Sequence, residues 1–214
     1  NRHDSINNGT TTVVVAPRIL LAEQLCSEFL EVIDTANTHI MHVHSGETHH
    51  FSSTKADKIH MFANTARTAG ENVIIFTSYN SLQRIVDADI EVNTIYFDEA
   101  HNSVKRNFFP PTEFFSANAD RCYFFTATPK HSLTFKKPGM NWGHVYGQVI
   151  CNVPATKLVD EGYILPPKVV VKQLPLIKGR KVMYAEDADN LIETIDDNNI
   201  DKTLICARTT KQII

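Results

Sequence analysis

Four short segments constrain the fold most, because each is apolar or aromatic at nearly every position. They are residues 13–16 (VVVA), 72–77 (NVIIFT), 94–97 (TIYF) and 121–125 (RCYFF). A strand with one solvated face alternates apolar and polar residues, whereas a continuous apolar run is typical of a strand buried on both faces of a parallel sheet. The sequence therefore predicts a mostly parallel sheet covered on both faces.

Helical periodicity appears between these runs. Leu21, Leu25 and Phe29 share one face, which predicts an amphipathic helix over residues 18–33. A second helix is predicted around residues 59–66, with Gly70 as its stop. The other predicted elements are strands over 38–45, 168–174 and 203–206, helices over 82–86, after residues 110–111, over 154–162 and over 187–196, a loop over 131–147 and a linker over 163–167. Strands that alternate with helices indicate an α/β fold.

Composition narrows the class of protein. A chain of 214 residues with 43% hydrophobic content can bury a sizeable core, and a net charge of -3 provides no global basic field for nucleic acid. Cys26, Cys122, Cys151 and Cys206 form no CxxC pair, so we expect reduced, mostly buried thiols instead of a zinc knuckle or a disulfide framework. With neither a bilayer-spanning segment nor a signal peptide, the sequence predicts an intracellular protein, cytoplasmic or, if viral or eukaryotic, nuclear.

Two carboxylates and a histidine end the run at 94–97. Asp98 and Glu99 are consecutive, so at a strand-to-loop turn one can bind Mg2+ while the other orients or deprotonates a water. Hydroxyl residues follow the next apolar run, at Thr126 and Thr128. Ligands of parallel sheets bind beyond the carboxyl ends of the strands, where these groups would gather.

Six ordered motifs resemble those of DEAH-type superfamily-two helicases and translocases, in the restriction-enzyme-like or phage and viral branch. Residues 98–101 (DEAH) match motif II, the Walker B box, and residues 126–129 (TATP) resemble motif III. The other four are 17–24 (PRILLAEQ) for motif Ia, 77–82 (TSYNSL) for motif Ib, 161–167 (EGYILPP) for the passage between domains and 202–209 (KTLICART) for motif IV. The resemblance implies a first RecA-like domain over 1–164, and a linker with the start of a second RecA-like domain over 165–214.

The resemblance also implies roles, with ATP and Mg2+ as cofactors of a nucleoside triphosphatase. Asp98 would contact Mg2+ and Glu99 would activate the water that attacks the γ-phosphate. His101, with Thr126 and Thr128, would couple this site to the nucleic-acid track.

A second set of implied roles concerns that track. Hydroxyls and backbone amides near Arg18, Thr77 and Ser78 would contact phosphates of one nucleic-acid strand, with DNA favoured over RNA. Such binding is independent of sequence, because phosphates carry no base information.

The departures from the family pattern are equally informative. No GxxxxGK[ST] phosphate loop occurs in the sequence, and residues 1–12 would form the helix and loop that follow it. Motifs V and VI would lie beyond Ile214, so we expect the isolated chain to hydrolyse ATP negligibly. One alternative is a non-catalytic helicase-like module that binds nucleic acid or a partner. An unrelated Mg2+-dependent phosphohydrolase would need carboxylates at other strand ends, which carry hydroxyls instead.

Five histidines crowd into the segment after the first helix: His39, His42, His44, His49 and His50. A metal site is conceivable, because His42 and His44 share a strand face. The sequence offers no nearby cysteine and few acids, however, so the favoured prediction is a polar surface strand and loop.

Overall fold

A computed structural model describes residues 9–33, 35–134, 136–166, 169, 171, 180–198 and 203. The chain divides into two compact units, Asn1–Asn152 and Val153–Ile214. The division into RecA-like domains over 1–164 and 165–214 stays a prediction. Within the described residues, no helix combines the length and the apolar character needed to cross a bilayer.

The first unit is built on a six-stranded, entirely parallel sheet in the order β3-β2-β4-β1-β5-β6. Its strands are β1 (Thr11–Ala16), β2 (Thr38–Val43), β3 (Phe51–Ser52), β4 (Asn72–Ser78), β5 (Thr94–Phe97) and β6 (Arg121–Phe124). The most apolar runs form β1, β4 and β5, with β1 between the other two. The predicted parallel α/β sheet is therefore confirmed.

Helices cover both faces of the sheet. In the first unit they are α1 (Ile19–Leu30), α2 (Ala56–Thr68), α3 (Leu82–Asp87), α4 (Phe109–Asn118) and α5 (Gly143–Tyr146). The second unit, taken by itself, contains α6 (Ala155–Asp160) and α7 (Arg180–Asp197). Alternate residues of β1 enter two cores: Val13 and Val15 pack with residues of α2, α3 and α4, whereas Val14 and Ala16 pack with α1. This double burial explains why the run at 13–16 contains no polar residue.

The strand register aligns the carboxyl ends of four strands. Ala16 pairs with Ser78 across β1 and β4, Val15 pairs with Phe97 across β1 and β5, and Phe97 pairs with Phe124 across β5 and β6. The segments that leave these strands therefore emerge side by side at one edge of the sheet.

Several predicted boundaries were wrong, each for a local reason. Thr11 and Thr12 belong to β1 instead of a preceding loop, because the Thr11 amide donates to Asn93 Oδ1 at 2.9 Å and both threonines are buried. Helix α4 begins at Phe109, before the two prolines, which a first helical turn tolerates because its amides have no intrahelical acceptor. The two-residue strand β3 and the one-turn helix α5 were not predicted.

Other elements agree with the prediction. The helix predicted over 187–196 lies within α7, and β5 has the predicted bounds. Apart from residues 169, 171 and 203, the strands predicted over 168–174 and 203–206 and the segment resembling motif IV lie outside the described residues.

Candidate functional site at the carboxyl edge of the sheet

The backbone turns sharply as it leaves β5. The Asp98 amide still donates to the Val15 carbonyl at 2.9 Å, which extends the β1–β5 pairing by one residue. Glu99 then adopts the left-handed conformation, with φ 45° and ψ 50°. That region is unfavourable for a residue with a side chain and is held only when surrounding contacts impose it. Here the Ala100 amide donates to the Phe125 carbonyl at 2.8 Å, so the turn is fixed against the end of β6.

Asp98 sits in a poorly solvated position. Burial raises the pKa of the Asp98 carboxyl, and the neighbouring Glu99 carboxylate raises it further, whereas a hydrogen bond from the Glu99 amide lowers it. A nearby divalent cation stabilises a partly desolvated carboxylate more than it stabilises a fully hydrated one. One carboxylate suffices for Mg2+, which keeps several waters and is completed by substrate phosphates.

Glu99 offers an available oxygen. Its side chain is 45% exposed, yet its Oε2 atom is buried and accepts no hydrogen bond from the described residues. This oxygen lies 3.1 Å from Nδ1 of His101. The group is thus oriented by its neighbours but keeps the capacity to accept a proton.

His101 joins the ends of β5 and β6. Its Nδ1 lies 3.0 Å from the Thr126 hydroxyl and 3.3 Å from the Thr128 hydroxyl. The Thr128 amide donates to the Thr126 hydroxyl at 3.2 Å, which holds the two threonines together. The structure therefore brings together the five residues Asp98, Glu99, His101, Thr126 and Thr128, which we call the β5–β6 cluster.

Tyr79 is a contributor that the sequence did not single out. Its hydroxyl donates to the Asp98 carbonyl at 2.8 Å, and the side chain is 2% exposed. Burial raises the pKa of Tyr79, which keeps the phenol a neutral donor. Tyr79 lies in the segment resembling motif Ib, where the sequence pattern pointed to the hydroxyls of its neighbours Thr77 and Ser78.

The three predicted phosphate contacts lie at the ends of β1 and β4, but they differ in accessibility. Arg18 is exposed just before α1. Thr77 is fully buried and its hydroxyl donates to the Val43 carbonyl at 2.8 Å, so this hydroxyl is not presented to a phosphate. Ser78 is 3% exposed, with its hydroxyl 3.5 Å from that of Ser81. Their contacts with nucleic acid stay predictions.

The surface location expected for the histidines was wrong for two of them. His42 is 0% exposed and His44 is 2% exposed, because both lie where β2 packs beneath α1. The cysteines are free thiols wherever the structure describes them: Cys26 is buried, Cys122 is partly buried and Cys151 is exposed. Cys206 lies outside the described residues.

Comparison with known proteins identifies the family of this chain and supports its fold. The sequence model of the family described as "Type III restriction enzyme, res subunit" matches residues 2–131, more than half of the chain. No curated protein matches the chain.

One similar solved structure is that of a nuclease-deletion mutant of the Type ISP restriction-modification enzyme LlaGI in complex with a DNA substrate mimic. The two chains are 19% identical with a TM-score of 0.56, over 90% of this chain and 18% of that chain. The present chain thus spans less than a fifth of that protein's length. At this level of identity the likeness concerns the fold alone, and it confirms the RecA-like α/β architecture.

Proposed function

The chain belongs to the type III restriction enzyme res subunit family, and from this premise we propose that it is part of an ATP-dependent helicase or translocase. In this proposal the parent protein couples hydrolysis of Mg-ATP to movement on nucleic acid, and residues 98–101 form a DEAH-type motif II. The observation that carries the proposal is Glu99, which stands at the end of a buried parallel strand with a strained backbone and a buried oxygen to which no described residue donates a hydrogen bond. Backbone strain of this kind concentrates at functional sites.

The proposed roles of the two carboxylates are those that the resemblance to a DEAH-type motif II implies. Glu99 accepts a proton from the attacking water. The oxygen of this water bonds to the γ-phosphorus while the bond from that phosphorus to the β–γ bridging oxygen breaks. Asp98 holds Mg2+ directly or through a water, and the bound ion would offset charge on the phosphates. Tyr79 positions Asp98 through its main-chain carbonyl.

Coupling to the nucleic-acid track is proposed for the remainder of the β5–β6 cluster. His101 touches the Glu99 side chain and the Thr126 hydroxyl at 3.1 and 3.0 Å. A change at the γ-phosphate that moves Glu99 therefore alters the contact with the segment after β6. The two strand ends respond together because one imidazole joins them.

A phosphate-binding loop is required to complete the site, and the sequence contains no GxxxxGK[ST]. We assign this loop to another segment of a longer protein. Strand β6 pairs with β5 on one side and, among the described residues, with no strand on the other. Its free edge can receive a further parallel strand next to the β5–β6 cluster.

DNA is the proposed track. The LlaGI structure contains a DNA substrate mimic, which supports DNA over RNA for a protein of the same fold. The chain's net charge of -3 excludes attraction by a global basic field, so the contacts would come from backbone amides and local groups such as exposed Arg18. We expect binding that is independent of base sequence.

The test compares the 214-residue chain with the longer protein that contains it. We expect the longer protein to hydrolyse ATP in a reaction that requires Mg2+ and is stimulated by DNA, whereas the isolated chain is inactive. Robust hydrolysis by the isolated chain that is unaffected by Glu99→Gln would refute the assignment. DNA binding without hydrolysis by the longer protein would instead favour the non-catalytic module, an alternative that the missing phosphate loop supports.

A further inference from the structure

A second group of potential ligands lies at the carboxyl end of β2, outside the β5–β6 cluster. Glu23 and Cys26 are one turn apart on α1, so they face the same way. His42 lies near the end of β2, His44 comes directly after β2, and His50 comes directly before β3. We call these five residues the α1–β2 cluster. Cys26, His42 and His44 are each at most 2% exposed.

Short distances connect the carboxylate and two imidazoles of this cluster. Oε1 of Glu23 lies 3.1 Å from Nδ1 of His42 and 3.1 Å from Nε2 of His44. Those two ring nitrogens are 3.0 Å apart. On the other side, one ligand atom each from Cys26, His42 and His50 lie within 4.8 Å of one another. The rings of His42 and His50 stack at 5.6 Å between centroids.

Some buried polar atoms of the α1–β2 cluster have no hydrogen-bond partner among the described residues. Among the described residues, four buried side-chain polar atoms lack a partner, and two of them are Glu23 Oε1 and His42 Nε2. Unpartnered buried polar atoms are costly and uncommon. Two in one cluster, one of them on a fully buried imidazole, indicate that the cluster binds something.

The backbone after β2 orients the ring of His44. The Gly46 amide donates to Nδ1 of His44 at 3.2 Å, so a ring proton of His44 lies on Nε2, on the side of Glu23. A Cβ at position 46 would lie 2.6 Å from Cγ2 of Ile19, so glycine lets the backbone come this close. His42 is 0% exposed, and Nε2 of its ring has no hydrogen-bond partner among the described residues.

We propose that Cys26 Sγ, His42 Nε2 and a ring nitrogen of His50 bind a zinc ion. Thiolate and neutral imidazole are preferred Zn2+ ligands, with bonds of about 2.3 and 2.0–2.1 Å, and water can take the fourth tetrahedral position. Nδ1 of His42 is engaged on the Glu23 side, which leaves Nε2 as its ligating atom.

Glu23 and His44 act as positioning residues in this arrangement. Glu23 Oε1 lies 3.1 Å from Nδ1 of His42 and from Nε2 of His44. With the ion bound, this carboxylate would accept the Nδ1 proton of His42 and so favour the ring form whose Nε2 is free for the metal. The other oxygen of Glu23 accepts from the Thr48 hydroxyl at 3.1 Å, and that hydroxyl accepts from the His50 amide at 3.3 Å. One network therefore sets both the carboxylate and the His50 segment.

The proposed ion would join three separate parts of the chain: α1, β2 and the segment leading to β3. Helix α1 begins directly after Arg18. A metal at its second turn would hold the start of this helix against the sheet.

The experiment titrates the metal-free full chain with Zn2+ and, separately, with Co2+. We expect one ion per chain, a thiolate-to-cobalt charge-transfer band and a raised melting temperature with metal. Cys26→Ser should abolish the band and weaken Zn2+ binding by about 100-fold or more. Glu23→Gln should keep the band but weaken binding by roughly 10- to 100-fold, the usual effect of removing a partner of a ligating histidine.

Matched controls separate ligands from other thiols and imidazoles. Cys122→Ser removes a different thiol, which is partly buried. His39→Gln removes an exposed imidazole of β2 that pairs with Glu71 at 2.6 Å. Both variants should bind Zn2+ as the wild type does. His50→Gln, whose ring is only half buried, should lose affinity as Cys26→Ser does, and the melting curve of each metal-free variant checks its folding.

Two results would overturn the proposal. One is a wild-type chain that binds no stoichiometric Zn2+. The other is a pair of variants in which Cys26→Ser binds Zn2+ with wild-type affinity and His44→Gln does not bind it. Glu23, His42 and His44 would then be the ligands.

Discussion

The β5–β6 cluster and the α1–β2 cluster use similar residues at the same edge of one sheet, yet they differ in solvation. Each combines a glutamate with histidine nitrogens about 3 Å away. The side chains of Glu99 and His101 are 45% and 21% exposed, whereas those of His42 and His44 are 0% exposed. A carboxylate and an imidazole therefore do not define a role by themselves. In our two proposals, access to substrate and water distinguishes the site of hydrolysis from the metal site.

Each cluster also contains a buried oxygen that accepts no hydrogen bond from the part of the chain that the structure describes: Oε2 of Glu99 and Oε1 of Glu23. At Glu99 the backbone is left-handed and the rest of the side chain reaches solvent, which suits an arriving nucleotide and water. At Glu23 the carboxylate is surrounded by imidazoles of its own chain. The four predictions that follow test this contrast.

The largest difference is expected for stability when each histidine is truncated. His42→Ala removes a ring that stacks on Phe76 at 5.5 Å and leaves Glu23 and His44 without their neighbour. We expect a loss of about 3 kcal/mol in the free energy of unfolding. His101→Ala should lose less than about 1 kcal/mol, because partly exposed sites tolerate truncation.

Urea unfolding of the metal-free chain measures this pair of variants. Trp142 is the single tryptophan and packs against Phe109 at 5.5 Å, so its fluorescence follows the unit that contains both clusters. Equal losses for the two variants would remove the proposed distinction between them.

The second prediction concerns coupling. His101→Ala in the longer protein breaks the connection between Glu99 and Thr126. We expect stimulation of ATP hydrolysis by DNA to fall by about 10-fold, within the usual range of coupling between sites, while hydrolysis without DNA changes less. His144→Ala, which alters a histidine 66% exposed, is the control. Unchanged stimulation in the His101 variant would exclude the coupling role.

A smaller effect is expected at Tyr79. Tyr79→Phe removes the hydrogen bond to the Asp98 carbonyl, so we expect stability to fall by about 1 kcal/mol. Tyr163→Phe, at a tyrosine 75% exposed, should cause no change. The same urea experiment measures Tyr79→Phe, and the Tyr163 control is followed by circular dichroism of the whole chain. A neutral result at Tyr79 would mean that this phenol does not support the β5–β6 cluster.

The last prediction is a gain of stability. Burial raises the pKa of Asp98 in the folded chain, so the charged carboxylate is disfavoured there and its cost grows as pH rises through the folded pKa. Asp98→Asn should therefore stabilise the protein at neutral pH, and the gain should vanish in acid, where Asp98 is protonated in both states. Asp57→Asn, in the first turn of α2, should have the opposite sign because it removes a favourable helix-dipole interaction. Melting temperatures at neutral and acidic pH measure both, and a destabilised Asp98→Asn variant would contradict the prediction.

The sequence predicted one cluster much better than the other, for a physical reason. The apolar run at 94–97 and the residues after it are contiguous, so local pattern alone located Asp98 and Glu99 at a strand end. The α1–β2 cluster assembles when α1 packs on β2, which brings Glu23 and Cys26 to histidines of a later strand. Only the sheet order reveals that contact, so a sequence without CxxC gave no sign of a nearby thiol.

The same limit explains why the sequence did not reveal the hydrogen bond of the Thr77 hydroxyl or the strand β3. The sequence suggested that the Thr77 hydroxyl is available to a phosphate, because Thr77 ends an apolar run. In the structure this hydroxyl donates to the Val43 carbonyl of the neighbouring strand. Strand β3 has only two residues, both exposed, and so has no apolar pattern to detect. The parallel sheet itself was predictable because burial on both faces makes the central positions of β1 and β4 apolar without alternation.

The most direct test of the account is single-turnover hydrolysis of ATP by the longer protein with Glu99→Gln. Glu113→Gln, which alters a glutamate 50% exposed on α4, is the matched control. We predict that Mg-ATP binds to the Glu99 variant as to the wild type, while hydrolysis slows by roughly 10²- to 10⁴-fold, the range of a lost general base. Hydrolysis by the Glu99 variant at the rate of the Glu113 control would contradict the claim that this strand end activates the attacking water.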